Sequence, residues 1–366
     1  MVFVMDEFEL YKHLKIGSVR RIVQGSLMKE GCTRVKGEVV ADNLIEADLR
    51  GIPSHGVARL QRYLEHIRQG VIDPKSKPRV VYQTALSAVV DGMNGIGQYT
   101  AKVATDLTIK MAKKTGAGIV VVRNSNHYGI AGYYAERIAK SGMIGFSATN
   151  TAPMVVPTFS RETILGTNPI AVAFPADLGY PYMVDMATSV IPRGKLEVHA
   201  RNKKAIPAGW CVDAQGHTTT DPGEVLENLK GKKGGGILPL GGEGEEFGGH
   251  KGYGLAMIVE LLTAGLSLGE PSWETYRGGH GGICHLFAGI RVDLFGDPER
   301  ITERFTSLLM KVKTGNKACG AKEIYLHNEK EYRARAVNIK MGVPVDRATY
   351  NMLVDISRRY GLGVRL

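Results

Sequence analysis

The chain has 366 residues, 43% of them hydrophobic, and a formal charge of +11 at pH 7. That length buries a sizeable core, in two domains or in one large and one small, and no run of about eighteen apolar residues occurs that would span a membrane. The basic residues are interleaved with acids, and their densest cluster, Arg193 to Lys204, lacks the aromatics on which bases stack, so anionic small molecules or a solvated basic surface are favoured, with a basic nucleic-acid-binding protein as the lesser alternative.

The opening MVFVMDEFELYKHLK has early acids and no small-residue cleavage site, so it does not read as a signal peptide. Cys32, Cys211, Cys284 and Cys319 are far apart with no CxxC, as expected of reduced structural thiols in a cytoplasmic protein. Residues 7–70 are expected to be helical, because apolar residues recur at helical spacing through Ile22, Leu27 and Met28, then Val39, Val40, Leu44 and Ile45. A third helix is expected after Pro53, with Ser54 as its N-cap. The turn DPKSKP (73–78) marks a boundary between an N-terminal helical region (1–78) and a mixed α/β core (79–297). A strand at 85–92, a helix at 100–116 stopped by Gly116, a strand at 118–124, a helix at 129–142 and a strand at 143–150 follow. This βαβαβ rhythm implies an α/β fold. Residues 151–240 are more irregular, with a strand expected at 169–176 and turns at 207–222. Glycine is densest over 231–254, and an apolar helix from Leu255 to Leu268 comes next. The tail (298–366) reads as helix, strand, helix, and is expected to pack back on the core and the N-terminal region.

Gly95-Ile96-Gly97 lies between a strand and a helix, where a dinucleotide phosphate turn would sit. Thr100 occupies the third glycine position, and the strand ending at Arg123-Asn124 offers no acid for a ribose, so the turn reads as structural. In RGIPSHGVARLQRY (50–63), Arg59 and Tyr63 follow His55 at i+4 and i+8, which would place the three on one helix face. A histidine of pKa ~6.5 exchanges a proton at neutral pH, and an arginine fork grips a carboxylate. Acid/base plus carboxylate clamp is what oxidation of a 2-hydroxy acid needs, although a plain solvated basic face has the same composition. Asn124, Ser125, Asn126 and His127 end a buried strand, the edge of an open α/β sheet where ligands bind; ordinary turn chemistry uses the same residues. Thr167, Asn168 and the segment Asp185 to Ser189 place short polar groups beside strands. The glycine-rich run 238–256 leads into a helix with Lys251 before it, which suits a bound phosphate, but it has no GK followed by Ser or Thr and is not a P-loop. His280, Cys284 and His285 lack the rest of a tetrahedral set, so no metal is expected, and no GxSxG hydrolase elbow is present.

The motifs RG-x-x-SHG-x-x-R-x-x-x-Y, NSNHYGIAGYYAE, GTNPIA, DMATS, RGK and GGHKGYGLA occur in that order along nearly the whole chain. This set resembles the type 2 malate/L-lactate dehydrogenase family, which includes archaeal-type malate, sulfolactate and ureidoglycolate dehydrogenases. The resemblance implies a non-Rossmann, mixed-sheet α/β fold, NAD or NADP as cofactor, and a small 2-hydroxy or 2-oxo acid as substrate. It also implies a homodimer or dimer of dimers, with neither membrane nor nucleic acid as partner. The wording nearest the archaeal-type malate dehydrogenases implies interconversion of (S)-malate and oxaloacetate, with sulfolactate, lactate or ureidoglycolate as alternatives. His55 and His127 are both implied as acid/base positions, one acting in some members and the other in others. Arg59 is implied as the carboxylate clamp, with Ser54, Tyr63, Asn126, Thr167 and Asn168 around the substrate. Cofactor contacts are implied at Thr151, at Val184, Asp185, Met186, Ala187, Thr188, Ser189 and Val190, and at His250 and Lys251. They are also implied in the tail at His327, Asn328 and Glu329, where Asn328 replaces the usual glycine and, like glycine, tolerates positive φ. Arg193, Lys195 and Arg201 are candidates for meeting a 2′-phosphate.

Overall fold

The computed structural model describes residues 10–366; the opening segment and the first residues of the helical region expected from residue 7 lie outside them. Strand β1 (Lys12–Leu14) pairs antiparallel with a strand near the end of the chain, β12 (Val343–Val345). This corrects the all-helical reading of 7–70, because the partner that makes residues 12–14 a strand lies too far along the chain for any local pattern to reveal. Helices α1 (Ile16–Lys29) and α2 (Arg34–Leu49) follow and pack on each other, with Thr33 capping α2 by accepting the Lys36 N–H. Ile22 and Leu27 are fully buried, but Met28, expected on the same face, is largely exposed. After Pro53 the chain makes two separate 3-10 turns, Pro53–His55 and Val57–Arg59, and α3 (Leu60–Arg68) begins only after them. Ser54 is therefore not a helix cap: extended backbone at Gly56 (ψ −158°) interrupts the helix.

The next elements are β2 (Arg79–Gln83), β3 (Ser87–Asp91), α4 (Gly97–Thr115), β4 (Ala117–Ser125), α5 (Gly132–Ala139), β5 (Met143–Thr149), β6 (Ile170–Phe174) and β7 (Tyr182–Met186). Gly116 ends α4 in the left-handed conformation (φ +93°), as glycine can at no steric cost. A smaller unit holds α6 (Arg193–Arg201), β8 (Cys211–Val212), β9 (Thr218–Thr219), α7 (Pro222–Gly231) and β10 (Gly236–Ile237). Helix α8 (Gly249–Glu260) starts before the expected Leu255 and runs into a π-helical turn, Leu261–Gly265. After β11 (Ile283–Arg291) the tail forms α9 (Pro298–Lys313), α10 (Glu329–Met341), β12 and α11 (Arg347–Arg359), one helix more than expected.

Among the described residues the largest sheet has seven strands in the order β2-β3-β4-β11-β5-β6-β7. Only β3 and β4 pair in parallel, joined by α4 as a crossover; the other neighbours are antiparallel. The βαβαβ rhythm holds along the sequence but not in space, since β11 inserts between β4 and β5. The sheet packs against α4 and α5 through Val90, Val120, Ile138 and Phe287. A second core joins α1, α2 and α3 to β12 and α11. No helix of the described residues is long and apolar enough to cross a membrane.

Candidate active site

Two loops converge at the C-terminal end of β4. The first leaves β4 through Asn124, which is left-handed (φ +52°), and carries Asn126, His127 and Gly129 toward α5. The buried Asn126 amide donates to the Gly95 carbonyl at 2.9 Å. Gly97 lets this loop approach, because a Cβ there would lie 2.1 Å from the Asn126 carbonyl oxygen. The Gly95–Gly97 turn thus serves packing of the histidine loop. Tyr128 fixes the loop from the other side by stacking on His285 at 4.5 Å, and His285 is held between Ser125 and Thr149.

The second loop is the pair of 3-10 turns before α3. The Asp48 carboxylate oxygen accepts the Val57 N–H at 2.7 Å and packs directly against Gly56. Burial holds the Asp48 carboxyl well above the usual range. Arg59 closes the turn by donating from Nε to the Ser54 carbonyl at 2.5 Å. His55, Arg59 and Tyr63 do not lie on one continuous helix, as the spacing had suggested, yet these turns bring them together. The His55 and His127 rings lie 5.5 Å apart and nearly stacked, and Ser54 Oγ sits 2.9 Å from His55 Nδ1.

The state of His127 follows from its neighbours. Its Nδ1 faces the Tyr63 hydroxyl at 2.8 Å and the Gly129 backbone N–H at 3.3 Å. A backbone N–H only donates, so Nδ1 carries the lone pair and the proton of the neutral ring is on Nε2. Burial pushes the Tyr63 hydroxyl up to about 12, so it stays a donor. Burial, with the Arg59 charge, pulls His55 down to about 4. Burial, His55 and Arg59 hold His127 well below the usual histidine value. Both rings are neutral at pH 7.

These groups line a cavity of about 150 Å³. It gathers Ser54, His55, Arg59, Tyr63, Asn126 and His127, with Thr151 and Thr167 on the facing wall. Asn168 is not among them: it is fully buried, and its amide donates to Glu260 Oε1 at 2.8 Å and to the Ala256 carbonyl. Ser272 occupies its carbonyl oxygen, so Asn168 anchors α8 and presents nothing to the cavity. Arg62, His66, Tyr276 and Asn150 also line the cavity and were not singled out from sequence. Arg62 had a usable signal, one helical turn beyond Arg59. Tyr276 comes from a distant loop and had none.

Of the positions implied for the cofactor, Thr151 lines this cavity and the others lie outside it. Val184, Asp185 and Met186 end the edge strand β7, where Asp185 accepts the Gly132 N–H at the start of α5. Ala187 follows. Thr188 and Ser189 are buried and spend their hydroxyls on the carbonyls of Thr167, Asn168 and Ile191; the Val190 N–H reaches Leu238. His250 and Lys251 are exposed in the first turn of α8, whose N-cap Gly248 offers no side-chain cap. Asn328 is left-handed (φ +69°) before α10, near Arg50 and Pro181; Glu329 is buried on Lys313 and Arg333; His327 meets the Tyr182 ring edge-on.

The start of α8 has the chemistry that suits the phosphates of a dinucleotide. The Leu240 N–H bonds the Thr188 carbonyl at 2.8 Å, and the Thr188 hydroxyl bonds the Thr167 carbonyl at 3.2 Å. Thr167 lines the cavity, so the glycine-rich loop is tied to the cavity wall. At the loop's far end, a helix N-terminus without a side-chain cap and an exposed lysine match a pyrophosphate. Among the described residues no group of three or more His, Cys, Asp or Glu is placed to hold a metal ion.

Comparison with known proteins agrees with this architecture over nearly its whole length. A family model for malate/L-lactate dehydrogenase matches residues 14–354. The malate dehydrogenase of Pyrococcus horikoshii is 43% identical over 92% of each chain. The L-sulfolactate dehydrogenase of Methanocaldococcus jannaschii is 38% identical over 96% of this chain and 98% of its own. The crystal structure of malate dehydrogenase from Entamoeba histolytica superposes with a TM-score of 0.92 at 36% identity, covering 97% of this chain and 99% of that one. With paired neutral histidines beside an arginine and likeness at this level along the chain, the protein is an oxidoreductase and belongs to the malate/L-lactate dehydrogenase family.

Proposed function

We propose that the protein interconverts (S)-malate and oxaloacetate with NAD or NADP. The observation that carries this reading is the pair of stacked, neutral histidines beside Arg59 in one cavity. A bound nicotinamide cofactor supplies the hydride chemistry. Arg59 grips the carboxylate next to the reacting carbon. In the tautomer that donates Nδ1–H to Ser54 Oγ, His55 presents the Nε2 lone pair and takes the hydroxyl proton in oxidation; in reduction its protonated form returns it. His127, its Nδ1 already occupied, donates from Nε2–H to the same oxygen and orients it. His250 and Lys251, exposed in the first turn of α8, hold the cofactor's phosphates. A sulfolactate substrate is the second reading, favoured by the 38% identity to the Methanocaldococcus jannaschii enzyme.

The test is the nicotinamide absorbance band in mixtures of enzyme, NADH or NADPH, and oxaloacetate, sulfopyruvate or pyruvate. Turnover fastest with oxaloacetate is expected, and the preferred cofactor is read from the same wells. No oxidation of either cofactor with any of the three acids would sink the reading.

The functional unit is a homodimer on this reading. Ile258, Leu261 and Leu266 recur along one helix face and are each about half exposed or more (48%, 61% and 55%), and α9 buries none of its residues within the chain. Apolar faces of this kind mark association surfaces. Light scattering is expected to give twice the chain mass, and a monomer at micromolar concentration would refute the dimer.

A further inference from the structure

The cavity wall is cationic. Arg59, Arg62 and Arg193 all line it, together with His55, His66 and His127, and no aspartate or glutamate does. The three arginines are not equivalent. Arg193 is paired with Glu197 at 2.9 Å on its own helix. Arg59 bonds only the Ser54 carbonyl, and Arg62 meets His66 at 3.5 Å and the face of the Tyr276 ring at 6.0 Å. Among the described residues neither Arg59 nor Arg62 has a carboxylate within ion-pair distance. Two unpaired guanidinium groups thus face one enclosed space. They sit at i and i+3 where the 3-10 turn runs into α3, with Cβ atoms about 5–6 Å apart, and long side chains at that spacing reach the two ends of a small diacid. Tyr276 holds Arg62 on this side: its ring lies under the guanidinium and against His66 at 5.8 Å.

We infer that Arg62, seated on Tyr276, receives a second acidic group of the substrate. The site therefore takes dianionic 2-oxo and 2-hydroxy acids, one carboxylate on Arg59 and a carboxylate or sulfonate at the far end on Arg62. The balance of charge supports this, since two acidic groups match two unpaired arginines and a monoacid leaves one uncompensated. The mutual repulsion of these cations acts in the same direction, because burial and the neighbouring Arg62 and Arg193 charges hold the Arg59 guanidinium below its ordinary value. Arg62 is a specificity residue on this account, and the inference rests on the 2-hydroxy acid reading given above.

The test compares kcat/KM for oxaloacetate, sulfopyruvate and pyruvate in the wild type, Arg62→Gln and Arg62→Lys. Arg62 is exposed, so both variants are expected to fold, and circular dichroism checks it. In Arg62→Gln the values for oxaloacetate and sulfopyruvate are expected to fall about 10–100-fold, the size of a lost charge-assisted hydrogen bond, while pyruvate changes less than about 3-fold. Arg62→Lys is expected to recover part of the loss, since it keeps the charge without the fork. An equal fall for all three acids, or no fall for the diacids, overturns the inference. A wild type that reduces pyruvate but neither diacid overturns it while leaving the 2-oxo acid reading intact. A wild type that reduces none of the three overturns both.

Discussion

Replacing His55 with glutamine is expected to lower kcat for malate oxidation by about 10²–10⁴-fold, the usual worth of a general base. Replacing His127 with glutamine is expected to cost only about tenfold, because the two rings are wired differently. The Gly129 N–H and the Tyr63 hydroxyl both point at His127 Nδ1, which leaves Nε2–H as a donor. A glutamine amide reproduces a donor near the Nε2 position. His55 hydrogen-bonds Ser54 at Nδ1, which on the proposed mechanism leaves Nε2 for the substrate, and glutamine there offers no base. Steady-state kinetics on both variants checks the split; a His127 variant as damaged as the His55 variant would reverse the roles. The pH profile adds a signature. His55 sits near 4 in the free enzyme because it is buried beside Arg59. For oxidation, kcat/KM, which reports the free enzyme, is therefore expected to stay level as pH falls through 6.5 and to drop only on approach to 4. A substrate carboxylate on Arg59 removes much of that charge effect, so the limb in kcat should lie at higher pH than the limb in kcat/KM. For reduction, which needs the protonated ring, kcat/KM should rise as pH falls.

Arg50→Ala is expected to destabilise the fold by about 3–5 kcal/mol, the cost of leaving a buried charge without its partner. Arg50 is 2% exposed and lies among three helices. Its guanidinium pairs with Glu46 on α2 at 2.8 Å and with Glu136 on α5, and it lies over the Tyr332 ring of α10. Glu46 also takes Arg335 of α10, and the Tyr332 hydroxyl donates to Glu136 at 2.9 Å. Burial alone would raise the Glu136 carboxyl; Arg50, with Lys140 and Tyr332, more than offsets this, and the group titrates below its ordinary value. Without Arg50, Glu136 is 3% exposed with only Lys140 and Tyr332 beside it. The sign with pH follows. The deficit is full at neutral pH, where Glu136 is ionised, and shrinks as acid protonates a carboxyl that no longer has its cation. Urea unfolding of wild type and variant at pH 7 and pH 5 measures this; a variant within about 1 kcal/mol of wild type at pH 7 would show that the network carries little net stability.

Elements with strong local signals were legible in the sequence. Helix α4 and its Gly116 stop, and strands β4 and β5, came from apolar spacing and a residue that must go left-handed. Strands β1 and β7 were not visible, because each is a strand only by virtue of a partner elsewhere. The same reason separates His127 from Asn168 as site residues. His127 is aimed by its immediate neighbours Asn126, Tyr128 and Gly129, all within one motif. Asn168 is turned inward by Glu260 and Ser272, and nothing local announces them. Ser54 followed a proline as a cap would, but the close approach of Asp48 to Gly56 broke the helix there.

Strands β4 and β5 are synthesised well before β11, which must slot between them. Two central strands therefore leave the ribosome with their facing edges unpaired, the exposure that favours mispairing. Closing so long a loop adds little to the equilibrium cost, which grows only with the logarithm of its length, but it delays folding. His285 arrives with β11, and only then does Tyr128 gain the ring beneath it that steadies His127. A growing chain thus carries both histidines long before it has the proposed proton-transfer centre, which is assembled at the moment the sheet closes.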